Sequence, residues 1–273
     1  MRIILLTFVL LTVQAWSSEP QTSNSVQENQ NVYELNAACN RGDANGCFQL
    51  AGAYFTGKGV GKDYAKAFSF YTKACDGGIM DGCVGLAGCY LGGLSVPKDE
   101  TKAAVLATKA CDGGSMNGCG ALGLLYQNGK GVTKDDKRAF ELLKPACESQ
   151  GNPKVCAGLA ILYMSGTAAP KDLGKAAALL QKACDADDVG GCATLGILYQ
   201  TGRGVPQDYS KALELYNKTC TPQENAGCVG LGMLYLNGLG VTKDIAKAKE
   251  FFQRSCTAGS TRACDELKAL QSQ

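Results

Sequence analysis

The composition of the chain restricts its chemistry before any motif is considered. It has 273 residues, a formal net charge of +2 and no histidine. The lack of histidine excludes a Ser-His-Asp triad, a Cys-His pair and a histidine-ligated zinc site. Nucleic-acid binding is also disfavoured, because the charges balance without the clustered basic face that such binding needs.

The N-terminal residues predict export. Arg2 precedes an apolar run that ends in Val13-Gln14-Ala15, a small-residue cleavage pattern. We expect residues 1–17 to be a signal peptide; an uncleaved anchor and a first buried helix are the alternatives. Residues 18–30 are polar and predict a disordered leader. No later segment predicts a membrane span after removal of the signal peptide.

Fifteen cysteines set the period of the remaining chain. Fourteen of them form local pairs eight residues apart, or nine in the fourth pair, and the second members recur every 36 residues with one step of 37. A fixed period of this length predicts stacked supersecondary units. The pairs are Cys39 with Cys47, Cys75 with Cys83, Cys111 with Cys119, Cys147 with Cys156, Cys184 with Cys192, Cys220 with Cys228, and Cys256 with Cys264.

Each period predicts two helices. A leucine, a small residue and a tyrosine follow the second cysteine at offsets of three, four and seven, as in Leu122, Gly123 and Tyr126, which places them on one helix face. A Gly-x-Gly-Val loop then ends this first helix. It lacks the preceding strand and the Gly-Lys-Ser/Thr sequence of a phosphate-binding loop.

A column of aspartates predicts the start of each second helix, where the side chain can cap the backbone. A lysine or arginine in the last turn of most second helices suits the negative end of the helix dipole. We therefore predict an all-α fold, an α/α superhelical solenoid of six full helix pairs with capping half-repeats over residues 31–273. The aspartates are Asp63, Asp99, Asp135, Asp172, Asp208 and Asp244; the basic residues are Lys73, Lys109, Lys182, Lys218 and Arg254.

The local spacing favours a disulfide within each cysteine pair, which in the chain-entropy model stabilises by about 2–3 kcal/mol per bridge. The alternative is zinc held by two pairs, but an eight-residue separation is not the close Cys-x-x-Cys spacing. We expect no metal and no cofactor. Seven disulfides predict an oxidising compartment.

Cys89 is the unpaired cysteine, and it occupies a column that other units fill with alanine or leucine. A buried thiol packing as a small hydrophobe is the simplest interpretation. An intermolecular bridge or a reactive thiol is the alternative, although no histidine is present to activate it.

These columns resemble the Sel1-like repeat, a relative of the tetratricopeptide repeat. With the regular cysteine pairs and the signal peptide, residues 31–271 are similar to the Helicobacter cysteine-rich proteins in particular. The resemblance implies a right-handed superhelix with first helices lining a concave groove, in a secreted or periplasmic protein. Members of that family have been described as penicillin-binding proteins or slow β-lactamases, and as secreted factors acting on host cells.

Three functions follow. The first is a binding module, a monomer whose groove holds a peptide or protein partner, for which the resemblance suggests a host protein or a cell-wall peptide. The second, implied by the resemblance alone, is binding or slow hydrolysis of a β-lactam; Ser95-Val96-Pro97-Lys98 matches one of three expected motifs. The third is a structural spacer. The groove candidates are Gln49, Gln127, Asn128, Thr194, Gln200, Thr201 and Asn237.

Overall fold

The computed structural model describes residues 21–149, 152–221 and 223–271, which form fourteen α-helices and no strand. Six consecutive helix pairs stand between a single helix at each end, so the predicted all-α repeat architecture is confirmed for these residues. The predicted signal peptide lies outside them.

First and second helices alternate along the chain. The first helices are α2 (Ala44–Thr56), α4 (Met80–Gly92), α6 (Met116–Asn128), α8 (Pro153–Ser165), α10 (Val189–Thr201), α12 (Cys228–Asn237) and α14 (Thr261–Gln271). The second helices are α1 (Gln21–Asn40), α3 (Tyr64–Asp76), α5 (Glu100–Asp112), α7 (Asp136–Glu148), α9 (Leu173–Asp185), α11 (Tyr209–Thr219) and α13 (Ile245–Thr257).

The first of these helices is longer than the sequence predicts. Because α1 begins at Gln21, residues 21–30 of the expected leader are helical, while residues 18–20 lie outside the described part. Extending a helix costs far less than nucleating one, since each added residue contributes a hydrogen bond. The turns around Val32 and Leu35 pack against the buried Cys39 and Cys47, so this part of α1 is held by tertiary contacts.

Local chemistry determines where the paired helices begin and end. Each second helix from α3 to α13 is capped by the predicted aspartate; Asp63 Oδ1, for example, accepts from the Lys66 N–H at 2.9 Å. The Asp63 N–H donates to the Tyr54 carbonyl at 2.9 Å, and the Lys66 ammonium lies 4.9 Å from the centre of the Tyr54 ring. Each first helix from α2 to α12 ends at a glycine with a positive φ. The same hydrogen-bonded turn therefore recurs in every pair.

Seven disulfides join each second helix, or the residue that follows it in the sixth bridge, to the next first helix. Their Cα–Cα distances run from 4.4 to 5.0 Å, inside the usual disulfide range. The bonded pairs are those that the spacing predicts: Cys39 with Cys47, Cys75 with Cys83, Cys111 with Cys119, Cys147 with Cys156, Cys184 with Cys192, Cys220 with Cys228, and Cys256 with Cys264.

The bridges restrict both the chemistry and the surroundings of the chain. Sulfur atoms joined in disulfides are unavailable to zinc as thiolates, so the alternative of a metal held by two cysteine pairs does not apply to this structure. So many disulfides indicate an oxidising environment outside the cytoplasm.

Basic side chains form a second link between units. Lys182 Nζ donates to the Cys147 carbonyl at 2.6 Å, and Lys218 Nζ donates to the Cys184 carbonyl at 3.2 Å. The sequence predicts these lysines as partners of their own helix dipole. They instead reach the C-terminal end of the preceding second helix, whose last carbonyls lack partners within the helix.

The hydrophobic core runs along the stack rather than forming one centre. One cluster combines Leu143 of α7 with Leu159 and Leu162 of α8 and Ala183 of α9. Successive first helices also pack on one another from α4 to α12, and no pair of second helices in the described residues packs as closely. The first helices therefore lie on the inner, concave side of the array.

Candidate functional site

A row of apolar side chains that are exposed or half-buried runs along the inner side. The residue five positions after the second cysteine is Leu124 in α6, Ile161 in α8, Ile197 in α10 and Met233 in α12. Ile161 is 50% exposed and Ile197 46% exposed, while the other two are half-buried. We call these four residues the apolar stripe. Exposed apolar residues aligned in this way mark interaction surfaces more often than scattered ones do.

The helices that carry the stripe are almost free of charge. The chain contains 27 basic and 25 acidic residues, yet α2, α4, α6, α8, α10 and α12 together contain only Asp81 and Lys154. Both are the second residue of their helix, at one edge of the inner face. Asp81 accepts hydrogen bonds from Ser115 at 2.6 Å and from Asn117 at 3.4 Å. The first helices therefore contribute few charges to the inner face.

Two shallow cavities lie along this face. One of about 420 Å³ is bounded by α6, α8 and α10, with Gln127, Ile161 and Thr194 in its wall. The charged residues Lys134, Lys154 and Asp188 also line it. A second of about 300 Å³ lies towards the N-terminal end, with Phe48 and Val84 in its wall. Leu124 lines both cavities, so they adjoin at this side chain, and we call the two together the trough.

Two of the predicted groove residues, Gln127 and Gln200, make side-chain hydrogen bonds within the protein. Gln127 Nε2 donates to the Gly158 carbonyl of the next first helix at 2.8 Å. Gln200 Oε1 accepts from the Tyr216 hydroxyl at 2.7 Å. Tyr216 is buried, and this burial raises the pKa of its hydroxyl, so the group remains a neutral donor. Each glutamine side chain therefore uses one of its polar atoms in a hydrogen bond within the protein.

Four other candidates flank the stripe and use their donors within their own helix. Asn128 Nδ2 donates to the Leu124 carbonyl at 2.7 Å, and Asn237 Nδ2 donates to the Met233 carbonyl at 2.9 Å. Thr194 and Thr201 donate in the same way to carbonyls four residues earlier, each at 2.7 Å. Their side-chain oxygens remain acceptors. Gln49 lies apart, in a cavity beside α1 with Val32 and Leu35.

Cys89 lies inside the stack and away from the trough surface. It is fully buried beside Ala51, Ala67, Tyr71 and Leu86. Burial raises the pKa of its thiol, which opposes formation of the nucleophilic thiolate. In the structure it is a free thiol that packs as a small apolar side chain.

Ser95 and Lys98, the fragment of a β-lactamase motif, lie in the loop between α4 and α5. Ser95 Oγ donates to the Tyr64 carbonyl at 3.2 Å, and Lys98 Nζ pairs with Glu100 at 2.8 Å. A serine nucleophile of this type needs a base directed at its hydroxyl. Here the Ser95 hydroxyl binds the Tyr64 carbonyl and the Lys98 ammonium binds Glu100, so the lysine is not directed at the serine.

The sequence interpretation missed the apolar stripe and the lack of charge on the first helices. Both signals were readable. The stripe recurs at the same offset in four consecutive units, and the charged residues concentrate on the second helices and loops. A periodic column of apolar residues usually indicates a buried helix face. Only the structure shows that this column is partly exposed.

Helix pairs linked by disulfides into a continuous stack define a helical repeat protein with an extended inner surface. The Sel1 repeat family matches this chain six times, over residues 44–79, 81–115, 117–150, 153–188, 191–221 and 225–260. The chain belongs to the Sel1 repeat family. Repeats of this family typically mediate protein–protein interactions.

Solved structures share the architecture. A protective antigen of uropathogenic Escherichia coli with an SLR fold is 27% identical, with a TM-score of 0.64, over 86% of this chain and 50% of that one. This chain thus spans about half of that antigen. A Sel1 repeat protein from Oxalobacter formigenes is 21% identical, with a TM-score of 0.67, over 85% and 96% of the two chains. Helicobacter pylori cysteine rich protein B is 28% identical over 62% and 95%, with a TM-score of 0.24.

No curated protein matches the chain. Among the described residues, no helix combines the length and apolar character that crossing a bilayer requires.

Proposed function

We propose that this protein is an exported recognition protein, secreted or periplasmic, whose inner trough binds an extended segment of a peptide or protein partner. The observation that carries the proposal is the apolar stripe, in which Ile161 and Ile197 are about half exposed and which recurs once in each of four consecutive units. Apolar side chains of a partner would bury against the stripe. The acceptor oxygens of Asn128, Thr201 and Asn237 lie beside it and could accept from the partner's backbone N–H groups.

The family and the disulfides support this proposal in different ways. Sel1 repeats typically serve protein interactions, and stacked repeats create extended concave surfaces. Disulfides suit a protein that works outside the cytoplasm. No observation favours a β-lactam as ligand or substrate, because Ser95 and Lys98 have other partners.

The test introduces a charged side chain into the apolar stripe by mutation. Ile161→Asp and Ile197→Asp replace apolar contact by a carboxylate that a bound segment would have to desolvate, so each should weaken binding about tenfold or more. The oxidised protein is screened against an array of extended peptides, and affinities of the ligands found are then measured by fluorescence anisotropy. Both variants should keep the helix, since the changed side chains are about half exposed.

Val105→Asp is the matched control. Val105 is 64% exposed on the second helix α5, so the same change is made to an apolar side chain away from the trough. Binding should be unaffected. The proposal would be contradicted by ligands that bind both trough variants as tightly as the wild-type protein. Ligands that bind Val105→Asp as weakly as the trough variants would also contradict it.

A further inference from the structure

We infer that the cavity of about 300 Å³, which we call the N-terminal cavity, binds an arginine side chain of the partner segment. This inference rests on the proposed function and specifies one side chain of the ligand. Three features of the cavity wall carry it: a carboxylate without a cation, two aromatic rings, and a buried hydroxyl without a hydrogen-bond partner among the described residues.

The carboxylate belongs to Asp81. Among the described residues that line the N-terminal cavity, Asp81 alone is charged. It is half-buried, and its oxygens accept from the Ser115 hydroxyl at 2.6 Å and from the Asn117 amide at 3.4 Å, which are both neutral groups. The ion pairs within the described part of the chain all use other carboxylates. A carboxylate offers about four acceptor positions, so Asp81 can accept further hydrogen bonds from a cationic group.

Two aromatic rings belong to the same wall. Phe48 and Tyr71 pack with their ring centroids 6.1 Å apart. The Tyr71 ring occupies space that Gly85 leaves open, because a Cβ on Gly85 would lie 2.5 Å from Tyr71 Cε1. A guanidinium group stacks on aromatic faces and is less strongly hydrated than an ammonium group. Rings combined with a carboxylate therefore favour arginine over lysine.

The hydroxyl of Tyr71 is a polar group that the fold leaves available. Tyr71 is 8% exposed, and Tyr216, at the same position of a later unit, is 1% exposed. Tyr216 donates to Gln200, whereas Phe55 occupies the position equivalent to Gln200 beside Tyr71. No described residue shares a hydrogen bond with the Tyr71 hydroxyl. Burial raises the pKa of this hydroxyl, so it stays protonated, and its oxygen can accept from an arginine N–H.

The remaining wall suits the stem of an arginine side chain. Val84 and Leu124 are apolar and can cover its methylene groups. The side-chain carbonyl of Asn117, whose nitrogen donates to Asp81, is a further acceptor for the several N–H donors of a guanidinium group. Leu124 also belongs to the apolar stripe, so an arginine in this cavity can belong to the same segment that the stripe binds.

The other cavity of the trough offers no equivalent site. Lys134, Lys154 and Asp188 line it, so basic residues outnumber the single carboxylate. Asp188 caps α10 by accepting from the Gly191 N–H at 2.7 Å. A guanidinium group there would meet two like charges. We therefore expect the arginine at the N-terminal cavity.

The test compares three sets of peptides that differ at one central residue. This residue is arginine, lysine or citrulline, the uncharged isostere of arginine, and the flanking residues are drawn from alanine, leucine, glutamine and threonine. The oxidised full chain should bind its best arginine peptides about tenfold tighter than their citrulline counterparts, as measured by fluorescence anisotropy. The lysine counterparts should also bind more weakly, because an ammonium group cannot make the planar contacts.

Asp81→Asn removes the charge and keeps an acceptor for Ser115. It should fold, because Asn45 and Asn117 occupy the same position in the two flanking units. In this variant the preference for arginine over citrulline should fall below about twofold. Asp112→Asn is the matched control, since Asp112 is exposed at the end of α5 and lines neither cavity. The preference should persist in the control.

The outcomes separate this inference from the proposed function. A preference for arginine that disappears in Asp81→Asn and persists in Asp112→Asn supports the inference. It is overturned if citrulline or lysine peptides bind as tightly as arginine peptides, if the preference survives Asp81→Asn or is lost equally in the control, or if no arginine peptide binds. The proposed function still stands in those cases when array ligands weaken in Ile161→Asp and Ile197→Asp, and it fails when none does.

Discussion

Single glycines determine how closely each loop approaches the preceding unit. Gly131 has φ 67°, and a Cβ there would overlap the Glu100 backbone carbonyl of α5. At the corresponding position of an earlier loop, Ser95 adopts φ 63° and its Oγ donates to the Tyr64 carbonyl at 3.2 Å. Each of these two loops therefore rests on the first turn of the preceding second helix, through the backbone in one unit and a hydroxyl in the other.

Gly131→Ala should destabilise the protein by about 2–3 kcal/mol, because it adds left-handed strain and a backbone overlap. Gly88→Ala is the matched control. A Cβ at Gly88 meets nothing within 4 Å, and this residue lies inside α4, so alanine should stabilise by about 0.5–1 kcal/mol. Urea unfolding followed by circular dichroism measures both. Equal effects of the two substitutions would refute this account of the loop.

At the scale of the helix, charge is divided between the two members of each pair. The second helices carry the capping aspartates and the terminal lysines, whereas the first helices up to α12 carry Asp81 and Lys154 alone. This division follows from geometry, because the second helices face water on the outer side and the first helices line a trough. The charges therefore contribute to helix ends and to contacts between units.

The capping aspartates should make stability depend on acid pH. The backbone N–H of Lys175 lowers the pKa of Asp172, and that of Lys102 lowers the pKa of Asp99 in the same way. A carboxylate with a lowered pKa in the folded state contributes stability that is present above the unfolded value of about 3.9 and is lost as the pH falls through the folded value. The free energy of unfolding should therefore decrease below about pH 4.

Asp99→Asn and Asp172→Asn together test this dependence. Asparagine still caps a helix but does not titrate. The double variant should lose less stability than the wild-type chain between about pH 6 and pH 3, as measured by urea titrations at each pH. An unchanged acid response would show that other carboxylates dominate.

At the scale of the whole molecule, the disulfides matter because the stack has no single centre. Each bridge closes a short loop and contributes about 2–3 kcal/mol in the entropic account, so seven together would contribute about 14–21 kcal/mol if they were additive. Natural domains are stable by only about 5–15 kcal/mol. In this entropic account, the seven bridges together contribute about as much as, or more than, the net stability of a typical domain.

Full reduction should unfold the protein at room temperature. Circular dichroism at 222 nm in excess reductant should lose most of the helical signal, and no cooperative thermal transition should remain. The oxidised protein in the same buffer is the control. A reduced chain that kept its helices and melted cooperatively would show that packing alone holds the units together.

Much of this protein was predictable because its determinants are local. Helix starts at Asp63 and its equivalents, helix ends at glycines and the seven disulfides all depend on residues within about a dozen positions, and repetition reinforces each signal. The repeat period then specified the stack. By itself, the sequence determined the helices, their order and the bridges between them.

Tertiary structure alone decided which side chains are available. Gln127 and Gln200 have the same sequence pattern as the exposed amides, yet the close approach of Gly158 and Tyr216 engages them in internal bonds. The lysines near the cysteines bind carbonyls 34 or 35 residues earlier, a distance that no local pattern spans. In the sequence, Ile161 and Ile197 resemble core residues. In the folded stack, no neighbouring unit covers them, and their side chains are about half exposed. Exposure is a property of how units pack, and packing brings together residues that are far apart in the chain.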